Sequence, residues 1–306
     1  MTDAPFITFE AGDACLDWLG LTDALAEGHE MPKAEITDTF LYRDPDTLLN
    51  RAAWIDGLGL AVKSATVFPK NAAKGVPTIN GGVTLYSDDT GILEAIIDFH
   101  LVTKWKTAGD SLLAARRLAR PDSQNILIVG AGTQAQGLYT AYRSVFPDAT
   151  FNFWNRTRAN AEVLAKALGA ISIADDLEAA VGNADIITCA TMSKEPILKG
   201  EWLKPGQHVD LIGAYRPDMR ETDDTALNRA RVFVDSCDTT IGHIGELKMP
   251  IETGAFAVSD IVADYYAPER FKRKGPEEIT LFKNGGGAHL DLMTSRYILD
   301  MWRQRR

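Results

Sequence analysis

From Asn125 onward, short apolar runs alternate with longer stretches in which apolar residues recur every three or four positions. That alternation predicts strands separated by helices, and so a parallel sheet covered by helices. The expected strands are Ile126 to Val129, Phe151 to Trp154, Ile171 to Ile173, Asp185 to Cys189, His208 to Ile212 and Arg231 to Val234. Six strands suit a doubly wound sheet. Before residue 118 the texture is mixed. Turn signals stand at Gly57-Leu58-Gly59 and Gly81-Gly82, Leu93 to Phe99 reads as a strand, and Ser111 to Ala119 reads as an amphipathic helix that Arg120-Pro121-Asp122-Ser123 breaks. Leu290 to Trp302, after Asn284-Gly285-Gly286-Gly287, reads as an amphipathic helix that returns to the first part. An α/β portion is therefore expected to be inserted between two pieces of an α+β portion.

Composition changes this picture little. With 306 residues, 45% hydrophobic and 24% charged, the chain suits about two folded domains. Its net charge of −10 repels phosphate backbones and anionic membrane surfaces, so neither nucleic acid nor membrane is an expected partner. Cys15, Cys189 and Cys237 lack C-x-x-C spacing, so they read as reduced thiols and no metal is expected. No leader-like segment opens the sequence, which makes the cytoplasm the expected compartment.

The run Ile126-Leu127-Ile128-Val129-Gly130-Ala131-Gly132-Thr133-Gln134-Ala135 carries chemistry. It is an apolar strand, a G-x-G-x-x-A turn and the opening of a helix. Gly130 permits the tight turn, Gly132 lets the backbone approach a pyrophosphate, and small Ala135 lets the helix pack on the strand. Free N–H groups at Thr133 and Gln134, aided by the helix dipole, would hold the anion. A dinucleotide is the expected cofactor. At the end of the second strand, where NAD-binding proteins usually carry an acid, stand Asn155, Arg156, Thr157 and Arg158. Arginines there suit a 2′-phosphate, so NADP is favoured over NAD, the alternative being solvated arginines at a helix start. Thr191 and Gly213, after the fourth and fifth strands, complete the expected cofactor set.

Further pieces are Gly59-Leu60-Ala61-Val62-Lys63, Phe68-Pro69-Lys70-Asn71, Gly75-Val76-Pro77-Thr78, Thr103-Lys104-Trp105-Lys106-Thr107-Ala108, and Ile212-Gly213-Ala214-Tyr215-Arg216-Pro217-Asp218-Met219-Arg220-Glu221. With the glycine turn, and over nearly the whole chain, they resemble the ornithine cyclodeaminase and mu-crystallin family. The resemblance implies an α/β fold: a Rossmann doubly wound domain, 120–285, inserted in a discontinuous α+β substrate and dimerisation domain, 1–119 plus 286–306. A homodimer is implied.

Family members reduce an imino acid, or oxidise ornithine and cyclise it to proline. Lys63 matches the family's lysine beside the substrate, where a desolvated ammonium could exchange a proton. Lys106 stands where most members carry a carboxylate-binding arginine, and a lysine offers a point charge in place of a fork. Thr107 matches a donor to the cofactor phosphates, the alternative being a helix cap. Tyr215 stands where cyclodeaminases carry an aspartate, and a phenol cannot act as a carboxylate base at neutral pH. Imine reduction is thereby favoured over cyclodeamination, with Tyr215 as a pocket wall. Lys33, Arg51, Lys63, Lys106, His100 and His289 would suit a dicarboxylate such as iminosuccinate if they converge. A cyclic ketimine such as pyrroline-2-carboxylate would fit as well. A crystallin-like protein that only binds dinucleotide is the reading from another class.

Overall fold

The computed structural model describes residues 4–169 and 172–305, and the chain divides into two compact units, 1–106 with 287–306, and 107–286. The first unit opens with β1 (Phe6–Ile7), α1 (Phe9–Asp13) and α2 (Trp18–Glu30), followed by β2 (Glu35–Arg43), β3 (Asp46–Ile55), β4 (Gly59–Val67), β5 (Ile79–Tyr86) and β6 (Leu93–Asp98). These strands form one sheet in the order β1-β6-β5-β4-β3-β2, with β1 parallel to β6 and the rest antiparallel. In β4 burial alternates strictly, so Ala61, Lys63 and Ala65 share the buried face. A charged residue thus sits in register with two alanines, whose small side chains leave room for its stem.

Gly57, between β3 and β4, and Gly59, the first residue of β4, both take positive φ at the turn. Gly81 and Gly82 do not turn the chain. They lie inside β5, where a Cβ on Gly81 would come within 2.0 Å of the Ser64 carbonyl oxygen. Close approach of β4 and β5, and not a bend, calls for glycine there.

Helix α3 (Phe99–Leu118) is longer than the predicted Ser111–Ala119 segment. Its start is fixed by the Asp98 carboxylate, which accepts from the backbone N–H groups of His100 at 2.8 Å and Leu101 at 3.0 Å. Thr107 therefore lies inside the helix and caps nothing. Residues 111 to 115 are buried without interruption, so this part is a core helix and not an amphipathic one. The units divide between Lys106 and Thr107, within α3, and again between Gly286 and Gly287, whereas the sequence placed the boundaries at 119 and 286.

The second unit continues with β7 (Asn125–Val129), α4 (Thr133–Val145), β8 (Thr150–Trp154), α5 (Arg158–Leu168), β9 (Ser172–Ile173), α6 (Leu177–Asn183), β10 (Ile186–Cys189), β11 (His208–Leu211), α7 (Asp224–Arg229), β12 (Arg231–Val234), α8 (Cys237–Thr240), α9 (Gly245–Thr253), β13 (Ile261–Ala263) and β14 (Thr280–Lys283). Ile171, predicted to open the third of these strands, lies outside the described residues. All pairings are parallel, in the order β13-β12-β14-β11-β10-β7-β8-β9. The six predicted strands are present, but β14 separates β11 from β12, and β13 extends the edge. Neither addition stands out as an apolar run: β13 has three residues, and β14 carries only Leu281 and Phe282 between a threonine and a lysine. That Lys283 is fully buried, its ammonium donating to the Leu211 carbonyl oxygen at 2.9 Å. Finally α10 (Ala288–Gln304) rejoins the first unit, packing on β3, β4 and α2.

The Arg273 guanidinium ties the far side of this sheet together. It donates to the carbonyl oxygens of Leu118 at 2.6 Å, Gly206 at 3.1 Å, Gln207 at 3.2 Å and Glu278 at 2.5 Å. Replacing it with leucine leaves several half-buried acceptors unmet at about 1–3 kcal/mol each. Arg273→Leu should therefore lower Tm by roughly 6–12 °C in a thermal melt. A shift within error would show that solvent serves these carbonyls equally well.

Candidate active site

The glycine turn has the shape that a dinucleotide needs. Gly130 adopts φ +120°, and a Cβ there would meet the Ala190 carbonyl oxygen at 2.7 Å. A Cβ on Gly132 would meet no atom within 4 Å, so the backbone at the head of α4 stands open to an approaching group. No side chain caps α4, and Ala135 is fully buried against the sheet. Backbone N–H groups in the first turn are thus available for an anion. These features fit a pyrophosphate held by the turn and by Thr133 and Gln134.

At the end of β8 the two arginines differ. Arg158 is paired with Glu162 at 2.8 Å and with Asp175, while Arg156 is exposed. Asn155 folds back on its own loop, its amide donating to the Thr157 carbonyl oxygen at 2.8 Å.

The loops after β10 and β11 are joined by a feature that the sequence reading assigned no role. Glu221 is fully buried. One carboxylate oxygen accepts from the backbone N–H and the hydroxyl of Thr191, both at 2.8 Å, and the other accepts from the Gly213 N–H at 2.7 Å. Glu246, in the first turn of α9, accepts in turn from the backbone N–H of Glu221 at 2.7 Å and of Thr222 at 2.9 Å. Burial pushes the Glu221 carboxyl up to about 7, with Lys283 opposing and Glu246 adding to the rise. Gly213 cannot carry a side chain, because a Cβ would lie 1.7 Å from the Thr191 carbonyl oxygen. Thr191 and Gly213, both expected cofactor residues, are therefore held at the carboxyl ends of the parallel strands, where such sheets bind ligands. Thr107 is buried, and its carbonyl oxygen accepts from Asn284 at 3.0 Å. Tyr215 stands 55% exposed on the loop after β11.

In the first unit two of the predicted cations, Arg51 and Lys63, stand side by side in a row across the sheet. Asp38 on β2 faces Arg51 on β3, and Arg51 faces Lys63 on β4. Two cations directly opposite each other repel. Each has a carboxylate to offset this: Asp38 binds Arg51 bidentately, its Oδ1 accepting from Nε at 3.2 Å and its Oδ2 from Nη2 at 2.8 Å, and Asp291 on α10 binds the Lys63 ammonium at 2.9 Å. The same ammonium lies 4.8 Å from the centre of the Phe99 ring. Burial pulls Lys63 down to about 8, against the opposing pull of Asp291 and with help from Lys106 and Arg51. His289 is pulled down to about 3, first by burial and then, against Asp291, by Lys106, Arg51 and Lys33. It is neutral at physiological pH. Lys106 is buried, Arg51 half-buried and Lys33 exposed. His100 is exposed, with its ring edge-on to Phe99.

The sequence reading missed Asp291, Asp38, Glu221 and Glu246. A signal existed for Asp291: a carboxylate within the apolar start of a buried helix requires a cation. Among the described residues no group of three or more His, Cys, Asp or Glu could hold a metal ion, and no helix is long and apolar enough to cross a membrane.

A parallel sheet with a glycine turn after β7, an interior strand, open at the carboxyl ends, defines a protein of the dinucleotide-binding class. The chain belongs to the ornithine cyclodeaminase/mu-crystallin family, whose model matches residues 54–306. It is 47% identical over 301 residues to the Δ1-pyrroline-2-carboxylate reductase of Paracoccus denitrificans, covering 96% of this chain and 95% of the relative. It is 35% identical to the rat ketimine reductase mu-crystallin, over 79% of this chain and 76% of that one. The Thermococcus litoralis Δ1-pyrroline-2-carboxylate reductase, solved with NADH and L-proline, shares the fold with a TM-score of 0.89 over 98% of both chains at 24% identity.

Glu221→Gln keeps size but sets an amide N–H₂ against a backbone donor. Because a hydrogen bond to a charged group contributes about 1.5–3 kcal/mol, the dissociation constant for NADH should rise roughly 10- to 100-fold in a fluorescence titration. Unchanged affinity would show that the two loops need no carboxylate between them.

Proposed function

We propose that this protein is an NAD(P)H-dependent reductase of α-imino acids, and that its substrate is a cyclic ketimine such as pyrroline-2-carboxylate, reduced to the L-amino acid. The observation that carries the reading is the buried Lys63 ammonium, poised near 8 within a cluster of cations. Reduction of C=N needs a hydride at carbon and a proton at nitrogen. The nicotinamide, when bound, supplies the hydride. Lys63 supplies the proton: at neutral pH it is charged, yet desolvation makes the proton easier to release than from an ordinary lysine. Lys106 holds the substrate carboxylate by charge, and the Phe99 ring shields the ammonium from water.

Charge balance favours one substrate carboxylate over two. Asp38 and Asp291 already offset Arg51 and Lys63, and His289 is neutral, so the cluster is less positive than its residue types suggest. The 47% identity to a pyrroline-2-carboxylate reductase points the same way. Tyr215, in place of a carboxylate, disfavours cyclodeamination. Thr133 and Gln134 would hold the pyrophosphate, Thr107 would meet the phosphates, and exposed Arg156 would meet a 2′-phosphate. The chain is further proposed to be a homodimer through its first unit, because β2 is the sheet edge and exposes Phe40, Leu41 and Tyr42.

Assays of NADH and NADPH oxidation should show pyrroline-2-carboxylate reduced with higher kcat/KM than iminosuccinate. The rate should fall as pH rises through about 8, where Lys63 loses its proton. Lys63→Met should lower kcat roughly 10²- to 10⁴-fold and remove that alkaline limb. Turnover of iminosuccinate alone, or an unchanged pH profile in Lys63→Met, would refute the reading. Sedimentation tests the assembly: the wild type should run as a dimer and Leu41→Lys should shift it toward monomer, whereas a monomeric wild type at micromolar concentration would refute it.

A further inference from the structure

The Asp291 carboxylate is satisfied on one side only. Oδ1 accepts from the Lys63 ammonium at 2.9 Å, whereas Oδ2 is buried and has no hydrogen-bond partner among the described residues. The residue is 1% exposed. It is also ionised: burial pushes the carboxyl up, but Lys63, Lys106 and Arg51 together hold it below the usual carboxylate range. A buried carboxylate oxygen without a donor is a costly arrangement that calls for a reason.

The surrounding charges supply one. The titratable groups that act on Asp291 or its neighbour His289 are Lys63, Arg51, Lys106 and Lys33, from β4, β3, α3 and the segment before β2. All are cations, and they would repel a positively charged nitrogen. Asp38 cannot compensate, because Arg51 already takes both of its oxygens. Oδ2 of Asp291 is left without a donor among the described residues.

We propose that Asp291 is a substrate-contact residue that accepts a hydrogen bond from the N–H of the nitrogen being reduced, first as iminium and then as amine. The proposal rests on the imino-acid reading above. Lys63 delivers the proton to the imine nitrogen, hydride adds at carbon, and the N–H so formed is met by Oδ2, so that no proton passes to Asp291 itself. A 2-oxo acid would present a carbonyl lone pair to the same carboxylate and be repelled. Asp291 thus selects C=N over C=O.

The test compares binding of two ligands to the NAD⁺-loaded enzyme: L-proline and tetrahydrofuran-2-carboxylate, in which oxygen replaces the ring N–H. The wild type should prefer proline about 10- to 100-fold, the worth of a hydrogen bond to a charged group. In Asp291→Asn the preference should shrink to a few-fold, with tetrahydrofuran-2-carboxylate held no more weakly than before. Equal binding of the two ligands by the wild type overturns the proposal without any variant. So does an equal loss of both in Asp291→Asn, which would mark Asp291 as a residue that only positions Lys63. Substrate class is decided separately. If a linear imino acid is the one turned over, the pair becomes its amino-acid product and the analogue lacking nitrogen, and reduction of no imino acid at all overturns both readings.

Discussion

The buried ion pair between Lys63 and Asp291 is the interaction around which the charged residues of the first unit are arranged. It joins β4 to α10, strand to helix, across 228 positions of sequence. Taking two charges out of water costs several kcal/mol each, and their attraction repays this only with good geometry. Hydrophobic residues of similar volume would serve stability as well or better. Retention of a pair here is therefore best understood through chemistry. An ammonium that is desolvated but steadied by a carboxylate can release a proton near neutral pH and recover it.

The same physics recurs in the second unit with another sign. Glu221 and Glu246 are both fully buried, and their carboxyl oxygens are met mainly by backbone N–H groups and threonine hydroxyls, with Lys283 nearby. Backbone donors cannot rotate away as a side chain can. The loops after β10 and β11 are consequently fixed to each other before any ligand arrives, so little ordering is required on binding. The close approach at Gly213 is the steric counterpart of this electrostatic tie.

Within the cation row, proximity and counter-charge act together. Register places Arg51 beside Lys63, and like charges so placed would destabilise the sheet if they stood alone. Asp38 and Asp291 flank them, so the row reads minus, plus, plus, and minus from the helix above. Residue types alone suggest a strongly positive cluster; the pairing and the neutral His289 make it a moderately positive one.

Local pattern determined much of this. The alternation of apolar runs gave the parallel strands, and the spacing of Gly130, Gly132 and Ala135 gave the turn, because those properties depend on neighbours a few residues apart. The motif around Lys63 singled out a lysine that is indeed buried on the inner face of its strand. Tertiary structure decided the rest. Only folding could bring Asp291 to Lys63, insert β14 between β11 and β12, place Gly81 and Gly82 inside a strand, and set Glu221 between two loops. Each of these depends on segments far apart in the chain whose meeting leaves no periodic trace. The physical reason is that a buried charge is specified by its partner, and the partner's position is a property of the fold and not of the local sequence.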